Sequence, residues 1–191
     1  MPEPQAVSRR TALGLLAALA ASPSAVSSAR AGVPVVPSLG EIAARRGILF
    51  GTAFDAGVMT NPAMAAHTIH HARILTSDNF MKFGSLRPVE GPADFALADR
   101  LVAFCATHNI PLRGHNLIWN DWTPDWVGKL SPSRCAYWLD RHIDEVVSRY
   151  AGRLHSWDVV NEPFWPGHGQ PGGFRNGPWF AAMGMDTSSP P

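Results

Sequence analysis

The side chains that could do chemistry fall into four short clusters: Asp78, Asn79 and Lys82; His115 and Asn116; Trp119 and Trp122; and Asn161 with Glu162. Glu162 is the sharpest of them. It follows Trp157, Val159 and Val160 and precedes Pro163, Phe164 and Trp165. Apolar and aromatic surroundings of this kind are expected to penalise a charged carboxylate and raise its pKa. A carboxylic acid still protonated near neutral pH can give its proton to a departing oxygen. Pro163 disfavours helical geometry in the residue before it, so a strand ending here can project Glu162 before the chain turns away. The alternative is a structural carboxylate paired with Arg113 or Arg175.

All seven tryptophans lie after residue 118, at positions 119, 122, 126, 138, 157, 165 and 179. Trp119, Trp122, Trp126 and Trp165 follow expected strand ends. Trp138 falls in a helical pattern and Trp157 opens a strand. Flat indoles beside Asn, His and Lys suit a sugar ring, which has apolar faces and a rim of hydroxyls. The same indoles could equally pack loops.

The elements that must position these residues alternate between short apolar runs and helical patterns. Strands are expected at 47–54, 73–76, 110–118 and 154–162. Helices are expected at 61–72, after Asp94, and from Pro132 to about Gly152, with a last one begun at 179–183. Ser131 and Pro132 mark the start of the third helix, and its apolar stripe reads Leu139, Ile143, Val146, Val147 and Tyr150. Four β-α units with apolar strands imply an α/β fold with a parallel sheet, whose polar chemistry gathers where the strands end. Three of the four strand ends carry the polar clusters, which makes them one expected site.

Composition narrows the rest. The 191 residues include 46% hydrophobic and 16% charged side chains and carry a formal charge of +1. No Lys/Arg cluster stands out, so neither nucleic acid nor an anionic membrane is an expected partner. Residues 1–31 read as an export signal of twin-arginine type: Arg9-Arg10, an apolar run from Ala12 to Ala21, and a small-residue site at Ala29-Arg30-Ala31. The competing reading is an unstructured N-terminus with incidental arginines. Cleavage after Ala31 would leave a charge of −1 and place the chain in the periplasm or outside the cell. Cys105 and Cys135 read as buried thiols. His67, His70 and His71 invite a metal, but no acidic or thiol partner lies nearby in sequence, so surface histidines are the expectation. Residues 32–44 read as a lead-in, and Gly167 to Gly177 as a mobile glycine-rich loop lacking the Lys-Ser/Thr of a phosphate loop.

Four stretches in order, FGTAFDA (50–56), DNFMKF (78–83), RGHNLIW (113–119) and WDVVNE (157–162), resemble glycoside hydrolase family ten, the endo-β-1,4-xylanases. The resemblance runs from about residue 45 to 186. A cellulase-type relative on the same barrel would share the Asn-Glu-Pro but not the MK and RGH motifs. The resemblance implies a (β/α)8 barrel, here its first four β-α units. It also implies retaining hydrolysis of β-1,4-xylosidic bonds with no cofactor. It implies that Glu162 is the general acid/base, that Asn161 bonds the hydroxyl beside the reacting carbon, and that Asn79, Lys82, His115 and Trp119 hold sugar. Departures fall at Asp78 (usually Glu), Phe83 (Trp), Asn120 (His) and Trp122 (Gln), where they bear on sugar contacts.

The family nucleophile comes from strand seven, and beyond Glu162 the only acidic residue is Asp186. Residues 187–191 leave the family pattern, and a frameshift, an early stop or a split gene is the expected cause. Two functions follow as expectations: a secreted endo-xylanase by descent, or a non-catalytic remnant that at most binds β-1,4-glycans. Unpaired sheet edges would favour self-association.

Overall fold

A computed structural model describes residues 36–183; the expected export signal and the 187–191 tail lie outside the described residues. Four parallel strands form one sheet in the order β1-β2-β3-β4: β1 (Gly51–Phe54), β2 (Ile74–Ser77), β3 (Leu112–Trp119) and β4 (Ser156–Asn161). Helices alternate with them, as expected for successive β-α units. The helices are α1 (Leu39–Ala44), α2 (Ala56–Thr60), α3 (Pro62–His71), α4 (Phe83–Leu86), α5 (Ala96–Thr107), α6 (Pro132–Arg149) and α7 (Pro178–Met183).

Local chemistry sets most boundaries. Asn61 caps α3 through its side chain and Pro62 opens it, while Asp55 caps α2 by accepting from the Val58 amide at 2.9 Å. Ser131 accepts from the Arg134 amide at the start of α6, and Pro132 follows at the first helical position. Asp94 accepts from the Ala96 amide at 2.9 Å, one residue ahead of the position that would cap α5. The lead-in holds an unforeseen helix. Ser38 and Glu41 make a reciprocal capping box that starts α1. That signal was present in the sequence as Ser-x-x-Glu.

Three of the strands are shorter than the apolar runs that announced them, while β2 keeps four residues and shifts by one. Residues 47–50 and 154–155 fall outside the strand bounds, although the Arg73 amide donates to the Phe50 carbonyl and the His155 amide to the Leu112 carbonyl, and β4 stops at Asn161, one residue before Glu162. Between His115 and Ile118 the β3–β4 register shifts. The bulge places Asn116, Leu117 and Ile118 all in buried positions.

The core joins the strands to α5 and α6 through Phe54, Leu75, Leu101, Leu112, Leu117, Val146 and Tyr150. The stripe on α6 differs from the expected one. Cys135, Trp138, His142 and Val146 are buried, whereas Val147 is 36% exposed. The difference comes from a polar anchor invisible in periodicity. Arg87 is fully buried, pairs with Glu145, and donates its Nε–H toward His142 Nδ1 at 3.4 Å. That contact turns the His142 side of the helix inward.

Both cysteines are free and buried, and burial pushes the Cys105 thiol up to about 12. The rings of His67, His70 and His71 pack edge to face, and His71 Nδ1 accepts from the Leu39 amide at 3.2 Å. Among the described residues no group of three or more His, Cys, Asp or Glu could hold a metal. None of their helices is long and apolar enough to cross a membrane.

Candidate functional site

The C-terminal ends of β2, β3 and β4 bring the polar clusters to one end of the sheet. After β2, Lys82 is buried and donates from Nζ to Asn79 Oδ1 at 2.7 Å, while Asn79 Nδ2 donates to Asp78 at 3.1 Å. Desolvation lowers the Lys82 pKa, opposed by the charge of Asp78. Its ammonium lies 4.8 Å from the Trp119 ring and 4.6 Å from the Trp122 ring. The two indoles are parallel within 2°, with centroids 6.2 Å apart. Trp122 is fixed by its Nε1–H donating to Ser85 Oγ at 3.0 Å and by Gly84, where a Cβ would meet the Trp122 carbonyl oxygen at 2.6 Å. A cavity of about 280 Å³ is lined by Asn79 together with Asp55, Phe80 and Ser85. Sequence reasoning gave no sign of it.

On β3, His115 is oriented by a residue that spacing alone did not single out. Asp158, on the neighbouring strand, lies 3.0 Å from His115 Nδ1 and also holds Arg113 through its guanidinium. Arg113 first, then His115, draw the Asp158 pKa below the ordinary carboxylate range, against the opposing effect of burial. Asn116 is fully buried, and its Oδ1 lacks a partner among the described residues. The close approach of β3 to β4 depends on Gly114. A Cβ there would stand 2.2 Å from the Trp157 ring, which explains the glycine of the RGH motif sterically.

Glu162 corrects the first expectation. It lies in the left-handed region at φ +49°, just beyond β4, and its side chain is 46% exposed. The Trp119 indole N–H donates to its Oε2 at 2.8 Å, and the Arg175 guanidinium pairs with the same oxygen. The indole hydrogen bond, followed by Arg175, holds the Glu162 pKa below the ordinary carboxylate range; partial desolvation acts in the opposite direction and does not win. The apolar neighbours in sequence do not enclose the carboxyl, because Val159, Val160, Phe164 and Trp165 are each about half exposed or more. Of the two arginines considered as partners, Arg113 belongs to Asp158 and Arg175 belongs to Glu162.

Arg175 arrives by a folded loop. Phe164 and Phe174 form an antiparallel bridge, the Arg175 amide donates to the Pro163 carbonyl at 2.8 Å, and Gly169, Gly172 and Gly173 take positive φ to turn the chain back. The glycine-rich stretch is thus a pinned loop rather than a loose one. Trp165 lies under the Arg175 guanidinium at 5.1 Å, whereas Trp126 is drawn into the core against Phe83 and Trp138. Asn161 is half-buried at the end of β4, paired with Trp119 across the ladder. The structure therefore brings Asn161, Glu162, His115, Trp119, Trp122, Lys82, Asn79 and Asp78 to one end of the sheet. It removes Trp126 from that end and adds Asp158, Asp121 and Arg175.

The sequence and the fold are both similar to those of known proteins. The model of the family "Glycosyl hydrolase family 10" matches residues 38–188. Endo-1,4-beta-xylanase A of Caldicellulosiruptor sp. (strain Rt8B.4) is 38% identical in an alignment of 148 positions that covers 71% of this chain and 21% of that protein. The thermostable celloxylanase of Thermoclostridium stercorarium is 35% identical in an alignment of 168 positions that covers 79% of this chain and 42% of that protein. Among solved structures, xylanase B from Clostridium stercorarium F9 superposes with a TM-score of 0.70 at 34% identity, covering 79% of this chain and 48% of that one. The GH10 xylanase from Bispora sp. MEY-1 with xylobiose gives 0.70 at 27% identity, covering 78% and 47%. The chain thus spans less than half the length of each of these relatives.

Proposed function

Because the chain belongs to glycosyl hydrolase family 10, we propose that its site binds β-1,4-linked xylan and that Glu162 is the general acid/base of retaining hydrolysis. The observation that carries the reading is the Trp119–Glu162 hydrogen bond. It sets a carboxylate against the edge of an indole whose face, with Trp122 and Lys82, makes a sugar-sized platform. Several relatives bear the name endo-1,4-beta-xylanase, and one neighbour's title records xylobiose.

In the proposed reaction Glu162 gives a proton to the glycosidic oxygen, and the same carboxylate then takes a proton from the water that completes hydrolysis. Its partner must be a carboxylate about 5–5.5 Å away that attacks the anomeric carbon. The carboxylates beside Glu162 among the described residues already have partners: Asp158 holds Arg113 and His115, and Asp121 holds Arg175. The family resemblance implies that this nucleophile comes from strand seven, so full hydrolysis is proposed only where that strand is supplied. Asn79, Lys82 and His115 bond sugar hydroxyls, Asp158 fixes the His115 ring, and Asn161 reaches the hydroxyl next to the reacting carbon.

The second reading is a binding site without turnover. The depressed Glu162 pKa supports it, since a carboxylate held ionised is a poor acid. One experiment separates the two. The full chain and its Glu162→Ala variant are incubated with xylan, with reducing ends measured beside quenching of tryptophan fluorescence by xylohexaose. Hydrolysis lost in the variant supports the acid/base role. Quenching without hydrolysis supports binding alone, and neither signal would defeat both. We further read residues 1–31 as an export signal, which makes the substrate-facing region a periplasmic or extracellular one.

A further inference from the structure

A general acid that rests as an ion pair needs somewhere for its counter-ion to go. Arg175 is that counter-ion, and it is unusually constrained. Its side chain is only 11% exposed, it lies against the Trp165 ring, and its backbone is tied to Pro163. It also has a second carboxylate. Arg175 Nη2 donates to both oxygens of Asp121, at 2.5 and 2.6 Å, while Nη1 serves Glu162. Asp121 comes from the turn after β3 and Glu162 from the end of β4, so one guanidinium ties two loops together.

We propose that Arg175 and Asp121 are positioning residues for the acid/base: Arg175 holds Glu162 ionised in the resting site, and Asp121 takes over the guanidinium when substrate displaces it. The inference rests on the acid/base reading of Glu162. Fork geometry makes the exchange possible, because a guanidinium can keep a two-point contact with one carboxylate while releasing another. A sugar settling on the Trp119 platform withdraws water from Glu162 and so favours its neutral form. Glu162 takes up one proton from solvent as the sugar binds, and Arg175 remains neutralised by Asp121.

The other groups around Glu162 are few. From β3 come the Trp119 N–H, which donates to it, and His115, whose charge when protonated would favour the carboxylate. Lys82, after β2, is engaged with the Trp119 and Trp122 rings and with Asn79. His168 lies beside Trp165, with its Nδ1 accepting from the Asn176 amide. Arg175 is therefore the only one of these that both touches Glu162 and is shared with another carboxylate.

The two residues have opposite expected effects on one observable, which a merely structural role would not produce. Side-chain 13C NMR of glutamate-labelled full chain, with Glu162 assigned by Glu162→Gln, follows its titration. Arg175→Gln should move the Glu162 pKa upward, and Arg175→Lys should restore part of the depression. Asp121→Asn should move it downward, because the whole guanidinium then serves Glu162. Circular dichroism melts check that each variant folds. Shifts in the same direction for Arg175→Gln and Asp121→Asn, or no shift in either, would overturn the proposal. The readout needs no turnover, so opposite shifts in a chain that neither binds nor cuts xylan would uphold the shared Arg175 ion pair and defeat the proposed function instead.

Discussion

The behaviour of Glu162 is decided by which neighbours reach its oxygens, not by the hydrophobicity of the residues beside it in sequence. Trp119 contributes a single N–H and Arg175 a charge, both to Oε2. Replacing Trp119 by Phe keeps a ring and removes the donor, so the Glu162 pKa should rise; a side-chain NMR titration measures this. Trp119→Ala removes the ring as well and should weaken xylohexaose binding about tenfold, the order expected for one aromatic contact, as read by calorimetry. Much of this site was legible from residue types. Asn161, Glu162, His115 and Lys82 stood out as polar groups at strand ends, and Arg175 was foreseen as one possible partner. The ionised state of Glu162 was not legible. Val159, Val160 and Phe164 are each at least half exposed and do not enclose the carboxyl, and a sequence does not show which neighbours will be exposed.

At the scale of elements, the parallel order followed from the β-α rhythm, whereas the bulge in β3 and the buried polar cluster on α6 did not. Periodicity sees apolar residues only, so Arg87 and His142 entered the core unannounced. Burial first, then the Arg87 charge, push the His142 pKa down to about 3. The folded state therefore binds the His142 proton less readily than the unfolded chain, whose histidine titrates near 6.5. The resulting stability is fully present above about pH 6.5 and is lost as pH falls toward about 3, at about 1.4 kcal/mol per pH unit within that window. Urea melts at pH 7 and pH 5 should differ less for His142→Gln than for the native chain. Gly114 belongs to this scale too. Gly114→Ala forces a Cβ into the Trp157 ring and should cost about 1–3 kcal/mol by overpacking, seen as a lowered urea midpoint.

For the molecule as a whole, β1 and β4 each have one strand neighbour among the described residues, and Gly51, Thr52, Ala53, Val159 and Val160 along them are exposed. Unpaired parallel edges are templates for further pairing. Residues 32–191 should therefore elute from size exclusion ahead of a 20 kDa globular standard in a concentration-dependent way; a sharp monomer at all concentrations would contradict this. Family membership was legible in four motifs because their spacing reflects the barrel's repeat.

The acid/base role of Glu162 is tested most directly by leaving-group dependence. With the nucleophile-bearing strand supplied, rates for the native residue and Glu162→Gln are compared on xylan and on a 2,4-dinitrophenyl β-xylobioside, whose leaving group departs without a proton. An acid role predicts that the variant loses about 10²–10⁴-fold on xylan and far less in release of dinitrophenolate. Equal losses on both substrates would contradict it.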